Sequence, residues 1–420
     1  MSLARPPRLA AALAAGLALS PMLVSSAAAE AAPPQATASL TLDEFYAPPA
    51  SAVPGPAGSV VWWSDIAAGD PAELTKASSS RRVIYRSTSI AGNANVNSAT
   101  VFVPAGSAPA GGWKVVAWNH VTTGGADHCA PSRASKTLPG STKANPEFER
   151  LTRSGKLLSH LLERGYVVVR PDYEGIGTPG PHPYLIGRSL ARATVDAVRA
   201  ARELVPSTSN QYAVAGHSEG AIGALYTSQY TSAMAPELSL KATLAATPPI
   251  DNKTLLFEAA AATGLGGFTP LAALMVNGAR LADPGLADAY DGNLLSGEGK
   301  RRFAHIETRC LGEFDTTSLG GISIPRMFGT GYPAVKPLLR AELDRNEAGN
   351  AKLGPEPVRF YSGGLDGLAW WSMIRATANR QRAKGADVTY KHYPFGTHPN
   401  ITDDNMGGRD MARWLAAQLG

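Results

Sequence analysis

The pentapeptide Gly216-His217-Ser218-Glu219-Gly220 constrains the fold of this chain more than any other feature. It has the pattern G-x-S-x-G, and it stands where an apolar run, 211–215, gives way to a run of small residues, 221–226. These two segments predict a buried strand followed by a tightly packed helix. In that context the serine occupies a sharp, strained turn, and the two glycines let the flanking backbones approach closely. The pattern predicts an α/β fold and makes Ser218 the candidate nucleophile.

Alternating strand and helix patterns on both sides of this turn predict a mostly parallel central sheet flanked by helices. Two alternating segments near the start, 82–87 and 98–103, predict antiparallel strands joined by a turn around 92–93. Further strands are predicted at 113–118, 166–170, 242–247, 358–362 and 388–391, and helices at 155–164, 190–204, 370–382 and 411–419.

Between residues 251 and 345 the strand-helix alternation stops, and the sequence is helix-prone but broken by Gly and Pro. We expect a helical cap or lid inserted between two parts of the core, 59–250 and 346–420. Several apolar residues of the cap are candidates for a lid surface that faces the site: Leu265, Phe268, Leu271, Leu274 and Met275. Two alternatives stay open, a static cap core and a surface that lines the site and opens.

The first 29 residues have the pattern of a secretory signal peptide. Arg5 and Arg8 precede an apolar run, and 27–29 provide an A-x-A cleavage site. An Ala- and Pro-rich N-terminal segment, 30–58, follows. The mature protein is therefore expected to be secreted or periplasmic.

Charge and composition exclude some classes of partner. The chain has 39 basic and 34 acidic residues, and only two arginines fall in the leader, so the charge without the leader is +3. Because the basic residues are scattered, no nucleic-acid partner is expected. No obligate protein partner is evident either.

The two cysteines, Cys129 and Cys310, predict one disulfide in an exported chain. Cys129 follows the strand at 113–118 and Cys310 lies in the cap, so the bond would tie the cap to the core. A metal site is the weaker alternative, since it would rest on His120, Asp127 and His128 alone. We expect no metal and no cofactor.

The segment 175–180 matches the dinucleotide-binding pattern G-x-G-x-x-G and follows a predicted strand. Pro179, Pro181 and Pro183, however, prevent the helix whose N-terminus would hold a pyrophosphate. The segment therefore predicts a rigid loop and not a dinucleotide site.

A nucleophilic serine needs a base within hydrogen-bond reach and an acid that orients the base. Asp366 follows the strand at 358–362, and His398 follows the strand at 388–391. This gives the chain order Ser, Asp, His at successive strand ends. For the oxyanion hole we expect the backbone N–H of Glu219 and a second one from the loop 120–124, with Thr123 favoured and Thr122 next.

With these residues assembled, the chain resembles the secretory lipase family of α/β-hydrolases, which includes the yeast lipase A type and bacterial exported lipases and esterases. The resemblance runs from about residue 43 to the end. It rests on the segments 45–49 (FYAPP), 129–132 (CAPS) and 172–180 (DYEGIGTPG), together with the serine motif, Asp366 and His398. It implies hydrolysis of acyl glycerols or related esters, a helical cap over the acyl site and no cofactor. If the apolar cap residues line an acyl tunnel and open at a lipid surface, transient contact with such a surface is also expected. Bacterial members usually carry Gly after the His of the oxyanion strand, whereas this chain has Val121.

Two other functions remain open at this point. A small-ester carboxylesterase or a peptidase could use the same fold, because cap shape and not the triad sets substrate choice. An inactive hydrolase could act as a binding protein, although such a protein would not need an intact Ser-Asp-His set.

Overall fold

Buried β-branched and aromatic residues form the centre of a sheet that has ten strands in the described part of the chain. The computed structural model describes residues 35–37, 40–250, 258 and 266–420, so the predicted signal peptide lies outside the described part. The strand order is β1-β2-β3-β4-β6-β5-β7-β8-β9-β10. The strands are β1 Gln35–Ala36, β2 Val60–Asp65, β3 Ser79–Thr88, β4 Ala94–Val103, β5 Trp113–Asn119, β6 Val167–Pro171, β7 Thr208–His217, β8 Ser239–Ala246, β9 Val358–Gly363 and β10 Val388–Tyr393.

The six strands from β6 to β10 in this order are parallel, whereas β2, β3 and β4 pair in antiparallel fashion and β4 joins the parallel part through β6. The mostly parallel sheet is therefore confirmed. Sequence analysis did not predict β2, whose residues are mostly half-buried and show no clear alternation. It lies near the sheet edge, where burial gives a weaker pattern than in a central strand.

Helices cover both faces of the sheet, which explains why the central strands are apolar on both sides. Helices α4 and α5 pack on one face, and α3 and α12 pack on the other. The helices outside the cap are α1 Leu42–Tyr46, α2 Phe148–Leu151, α3 Gly155–Leu162, α4 Gly187–Leu204, α5 Glu219–Met234, α11 Trp371–Ala383 and α12 Gly408–Leu419. None of the helices in the described ranges is long and apolar enough to cross a membrane.

The chain between β8 and β9 is helical where the structure describes it. These helices are α6 Thr269–Ala282, α7 Pro284–Asp291, α8 Gly297–Phe303, α9 Ile324–Met327 and α10 Tyr332–Arg345. Leu274 and Val276 of α6 share a buried cluster with Tyr184, Leu185 and Tyr226, which precede or belong to the core helices. Leu265 and most of 251–265 lie outside the described residues.

The N-terminal segment is anchored by α1. Thr41 and Glu44 form a capping box that satisfies the first N–H groups of this short helix. Phe45 and Tyr46 are buried against Ile84 and Val96. The aromatic pair therefore gives this Ala- and Pro-rich stretch a fixed place on the sheet.

Candidate active site

The turn between β7 and α5 holds Ser218 in a backbone conformation that L-residues rarely adopt, with φ 57° and ψ −118°. A Cβ at Gly216 would overlap the carbonyl of Gly220, and a Cβ at Gly220 would overlap the carbonyl of Asn119. Both glycines are thus required by close backbone approach. The N–H of Ser218 donates to Ala246 in β8 at 2.9 Å, which fixes the turn against the sheet.

Ser218, His398 and Asp366 form a hydrogen-bonded chain at the carboxyl edge of the sheet. The Oγ of Ser218 lies 2.9 Å from Nε2 of His398. Nδ1 of His398 lies 2.8 Å from Oδ2 of Asp366. Because β7, β9 and β10 run parallel, their carboxyl ends meet at one edge although the three residues are far apart in the chain. The structure therefore brings together all three candidate catalytic residues.

The carboxylate of Asp366 is buried, and hydrogen bonds to its oxygen Oδ1 hold it in place. Oδ1 accepts the backbone N–H groups of Leu368 and Ala369, both at 2.8 Å. Since both lone-pair directions of Oδ1 are used, Oδ2 is left to face the imidazole of His398. This arrangement is suited to holding one tautomer of the histidine.

His217, inside the serine motif, also contacts His398, and sequence analysis did not single it out. Its Nε2 donates to the backbone carbonyl of His398 at 2.8 Å. Burial and the neighbouring imidazole hold the pKa of His217 well below its ordinary value, so the ring is neutral. His217 therefore anchors the backbone of the histidine loop without adding a charge.

A cavity of about 210 Å³ opens beside Ser218 and His398. Of the residues predicted for the cap surface, Leu271 and Met275 line it. Phe268 and Leu274 do not; Leu274 is fully buried in the cluster beneath, and Phe268 is half-buried against that cluster. The predicted acyl surface is thus divided: Leu271 and Met275, one helical turn apart on α6, face the cavity, and Leu274 packs beneath it.

In the predicted oxyanion loop, Thr122 lines the cavity and Thr123 does not. The Oγ1 of Thr122 lies 2.9 Å from the hydroxyl of Tyr184. Thr123 is fully buried, and its carbonyl accepts the N–H of Leu311 from the cap at 2.8 Å. The loop therefore brings Thr122 to the cavity, and which backbone N–H serves an oxyanion stays a prediction. Val121 also lines the cavity, next to Thr122.

The N–H of Glu219 stands at the first position of α5, where a helix offers no acceptor of its own. It is therefore available to an oxyanion next to Ser218, with the positive end of the helix dipole behind it.

The predicted disulfide between Cys129 and Cys310 is present. Gly124 lies beside this bond. It pairs with Cys310 as an isolated β-bridge, and its φ is 133°. A Cβ at Gly124 would press on the backbone of Cys310, so this position requires glycine. The bond ties the cap to the loop that contains Thr122.

A buried pair behind the nucleophile went undetected in the sequence. Oε1 of Glu219 lies 2.9 Å from Nε2 of His182, and both side chains are completely buried. The Nδ1 of His182 donates to the carbonyl of Glu174 at 2.8 Å. Oε2 of Glu219 is buried without a hydrogen-bond partner in the described part of the chain. His182, which lies 37 residues earlier in the chain, therefore fixes the side chain of Glu219, the residue after Ser218.

The side chain of Asp172 connects the segment 172–180 to the segment 129–132. The carboxylate of Asp172 accepts from the backbone and hydroxyl of Ser132 and from the hydroxyl of Ser98. Its pKa is raised, mainly by complete burial. The Ser132 hydroxyl also meets that of Tyr46. These contacts position the loop that carries Cys129.

The histidines considered for a metal site have other partners. Nε2 of His128 lies 2.9 Å from Glu313. Burial lowers the pKa of His120 to about 3, and its Nδ1 faces the carbonyl of Val121. The sulfur atoms of Cys129 and Cys310 are bonded to each other, so neither can act as a thiolate ligand.

The segment 175–180 forms a loop, as predicted from its prolines. The next helix, α4, begins only at Gly187, and a Cβ at Gly175 would overlap the backbone of Pro181. No helix N-terminus follows the glycines directly, so the segment lacks the element that a dinucleotide pyrophosphate requires.

The fold and the site together define an α/β-hydrolase with a Ser-His-Asp arrangement beneath a helical cap. The chain belongs to the secretory lipase family, whose profile matches residues 152–419.

Curated relatives and solved structures agree with this assignment. The chain is 25% identical over 387 residues to a probable inactive lipase of Mycobacterium tuberculosis, covering 89% of this chain and 81% of that protein. It is 25% identical over 368 residues to lipase A of Moesziomyces aphidis, covering 85% and 75%.

Among solved structures, the closed state of Candida antarctica lipase A matches with a TM-score of 0.69 and 21% identity, covering 91% of this chain and 87% of that one. The rice cell wall degrading esterase LipA of Xanthomonas oryzae matches with a TM-score of 0.61 and 17% identity, covering 87% and 99%. At these identities the likeness concerns the fold alone. Fold and family together make the chain a lipase-like hydrolase, and family and disulfide indicate an extracellular protein.

Proposed function

We propose that this protein is an active serine hydrolase that cleaves carboxylic esters of lipid type through an acyl-enzyme intermediate. The observation that carries the proposal is the hydrogen-bonded chain from Ser218 through His398 to Asp366, at 2.9 and 2.8 Å. Distances of this length let the imidazole take the serine proton while the carboxylate holds its tautomer.

In the first half-reaction, the Oγ of Ser218 attacks the ester carbonyl and its proton passes to Nε2 of His398. The oxyanion accepts from the N–H of Glu219 and from the N–H of Thr122, which replaces Thr123 in this proposal because it lines the cavity. His398 then protonates the leaving alcohol, and an acyl group remains on Ser218.

In the second half-reaction, water replaces the alcohol. His398 takes a proton from the water, hydroxide attacks the acyl carbonyl, and the released serine oxygen regains the proton. Asp366 stays ionised throughout and stabilises the imidazolium of His398.

The cavity supports an apolar acyl group as the main recognition element. The apolar walls of the cavity include Leu185, Leu271, Met275 and Leu311. The last three of these belong to the cap. An acyl chain placed among them would gain about 25 cal/mol for each Å² of apolar surface removed from water. An acyl glycerol fits this surface better than a peptide, since a peptide would need more polar partners.

A binding protein without activity is the main competing function, and the name of the Mycobacterium relative raises it. The intact hydrogen-bonded set Ser218, His398 and Asp366 favours catalysis. Export through the leader 1–29 is part of the same proposal, because the disulfide needs an oxidising compartment.

The test is hydrolysis of p-nitrophenyl esters of increasing chain length by the mature protein and by its Ser218→Ala variant. We expect turnover that is lost in the variant, with a preference among chain lengths. Equal hydrolysis by both proteins would reject Ser218 as nucleophile, and a preference for peptide substrates would move the protein to the peptidase alternative.

A further inference from the structure

Exposed large apolar side chains are concentrated in two loops of this protein. Within the described residues, six large hydrophobic side chains are exposed; four of them lie in the loops that follow β9 and β10, and a fifth, Trp371, is the first residue of α11. These five are called the triad-loop surface here: Leu365, Leu368, Trp370, Trp371 and Phe395, which are 63%, 37%, 48%, 40% and 76% exposed. The sixth, Leu42, lies in the N-terminal helix α1 and is 46% exposed.

The two loops form one surface because their backbones are bonded to each other. The N–H of Leu365 donates to Gly396 at 2.9 Å, and the N–H of Gly364 donates to Tyr393 at 2.8 Å. The ring of Trp371 lies 5.2 Å from that of His392 at the end of β10. The exposed side chains are therefore held by rigid strand ends that also position Asp366 and His398.

This surface adjoins the opening of the candidate active site. Leu368 and Ala369 line the cavity together with Ser218 and His398. The residues on either side, Leu365 and Trp370, face solvent. An apolar surface that begins at the cavity and continues outward marks the side from which an apolar substrate approaches.

Charge at the surface fits a lipid layer. Arg375 lies one helical turn after Trp371 on α11 and is exposed, and it contributes to the lowered pKa of His392. Tryptophan beside basic residues is the combination that rests at the headgroup level of a membrane, with the ring in the apolar layer and the charge at the headgroups.

We infer that the triad-loop surface docks the protein on an aggregated ester or lipid layer, so that lipid contact is made by core loops next to the triad. The inference rests on the proposed ester hydrolysis for its choice of occupant. A second copy of the chain is a poorer occupant, because a symmetric contact through this surface would cover the cavity opening of both copies.

The experiment measures binding to phosphatidylcholine vesicles containing dioleoylglycerol, by flotation, in the Ser218→Ala background so that no lipid is consumed. We expect the parent to bind, and Trp370→Ser with Phe395→Ser to weaken vesicle affinity by about tenfold or more, since two exposed apolar side chains lose their burial in lipid. Leu42→Ser, with similar exposure in the parent, is the matched control and should bind as the parent does.

Three results would overturn the inference: a parent that does not bind, equal binding by the double variant and the control, or a dimer in sedimentation velocity that the double variant abolishes. Thermal unfolding checks that each variant is folded. If the double variant does not unfold cooperatively, Phe395→Ser alone carries the test, because its side chain has few contacts to lose. Failure of the proposed function is separate, since it would show as absent hydrolysis of soluble p-nitrophenyl acetate by the protein with Ser218 intact.

Discussion

At the scale of single residues, the site depends on a strained serine and on groups that hold its partners. A non-glycine residue at positive φ costs about 1–3 kcal/mol, which the surrounding structure must supply. The hydrogen bond from Ser218 to β8 and the two close glycines keep the turn in place. His398 is held from two sides, by the carboxylate of Asp366 and by the contact of His217 with its carbonyl.

Replacing Asp366 by Asn should leave substrate binding nearly unchanged and lower kcat by a factor of about 10⁴. The NH₂ group of the asparagine cannot accept a hydrogen bond from Nδ1–H of His398, so the amide would favour the wrong tautomer of the histidine. Steady-state kinetics on a soluble p-nitrophenyl ester measures the effect. Asp403→Asn, which removes an exposed carboxylate after β10, should keep normal turnover. Near-normal kcat in the Asp366 variant would mean that another carboxylate orients His398.

Removing the carboxylate of Glu219 should destabilise the protein, because Nε2 of His182 would be left buried without a partner. We expect Glu219→Ala to lower the free energy of unfolding by about 3–5 kcal/mol. Glu219→Gln keeps a partner of the same shape and should cost about 1 kcal/mol. Urea unfolding distinguishes the two variants. Equal losses would contradict this prediction, because they would show that an amide of the same shape cannot replace the carboxylate as the partner of His182.

At this scale, the sequence predicts catalytic residues whose positions depend on where strands end. It leaves open residues whose positions depend on the backbone torsion angles of a loop. Ser218, Asp366 and His398 were identifiable because each follows an apolar strand. Thr122 and Thr123 have the same sequence context, and only the course of the loop decides which one lines the cavity. Glu219 and His182 pair through the fold, and nothing in their spacing indicates it.

At the scale of elements, the ends of parallel strands position the catalytic residues, and the cap forms part of the cavity wall. Most core strands and helices follow directly from runs of apolar residues, and the structure moves their ends by up to four residues. The edge strand β2 was missed because half-buried edge residues lack a clear period. In α6 the apolar residues are too numerous to show which side faces the cavity, and the structure separates Leu271 and Met275 from Leu274.

Leu271→Trp should shorten the acyl chain that the enzyme accepts, because the larger ring would occupy the cavity beside Ser218. We expect the ratio of long-chain to acetate kcat/KM to fall by about tenfold or more, the discrimination that a few methylenes allow. Leu274→Ala is the control: it should cost about 2–5 kcal/mol of stability and leave the ratio unchanged. A change in the ratio for Leu274→Ala, or none for Leu271→Trp, would reject this division of α6.

At the scale of the whole molecule, one covalent bond joins the cap to the core across 181 residues of sequence. Its position beside Gly124 means that the cap and the loop of Thr122 are fixed to each other. The cap therefore cannot separate from the core at this point, and any opening would have to occur elsewhere in the cap.

Removing the disulfide through paired Cys129→Ser and Cys310→Ser changes should lower the free energy of unfolding by roughly 4–5 kcal/mol on the chain-entropy model. The expected mechanism is greater freedom of the unfolded chain. Chemical denaturation measures the loss, and thiol titration of the unreduced, unfolded parent should find no free thiol. Two titratable thiols in that parent would contradict the bond.

Covalent labelling shows whether Ser218 is an activated nucleophile in an ester hydrolase. The mature protein is incubated with a fluorophosphonate, and the adduct is located by mass spectrometry of its peptides while hydrolysis of p-nitrophenyl butyrate is followed. We expect one adduct per chain, on Ser218, with hydrolysis lost in proportion to labelling. No adduct on Ser218, or full hydrolysis by a fully labelled protein, would contradict it.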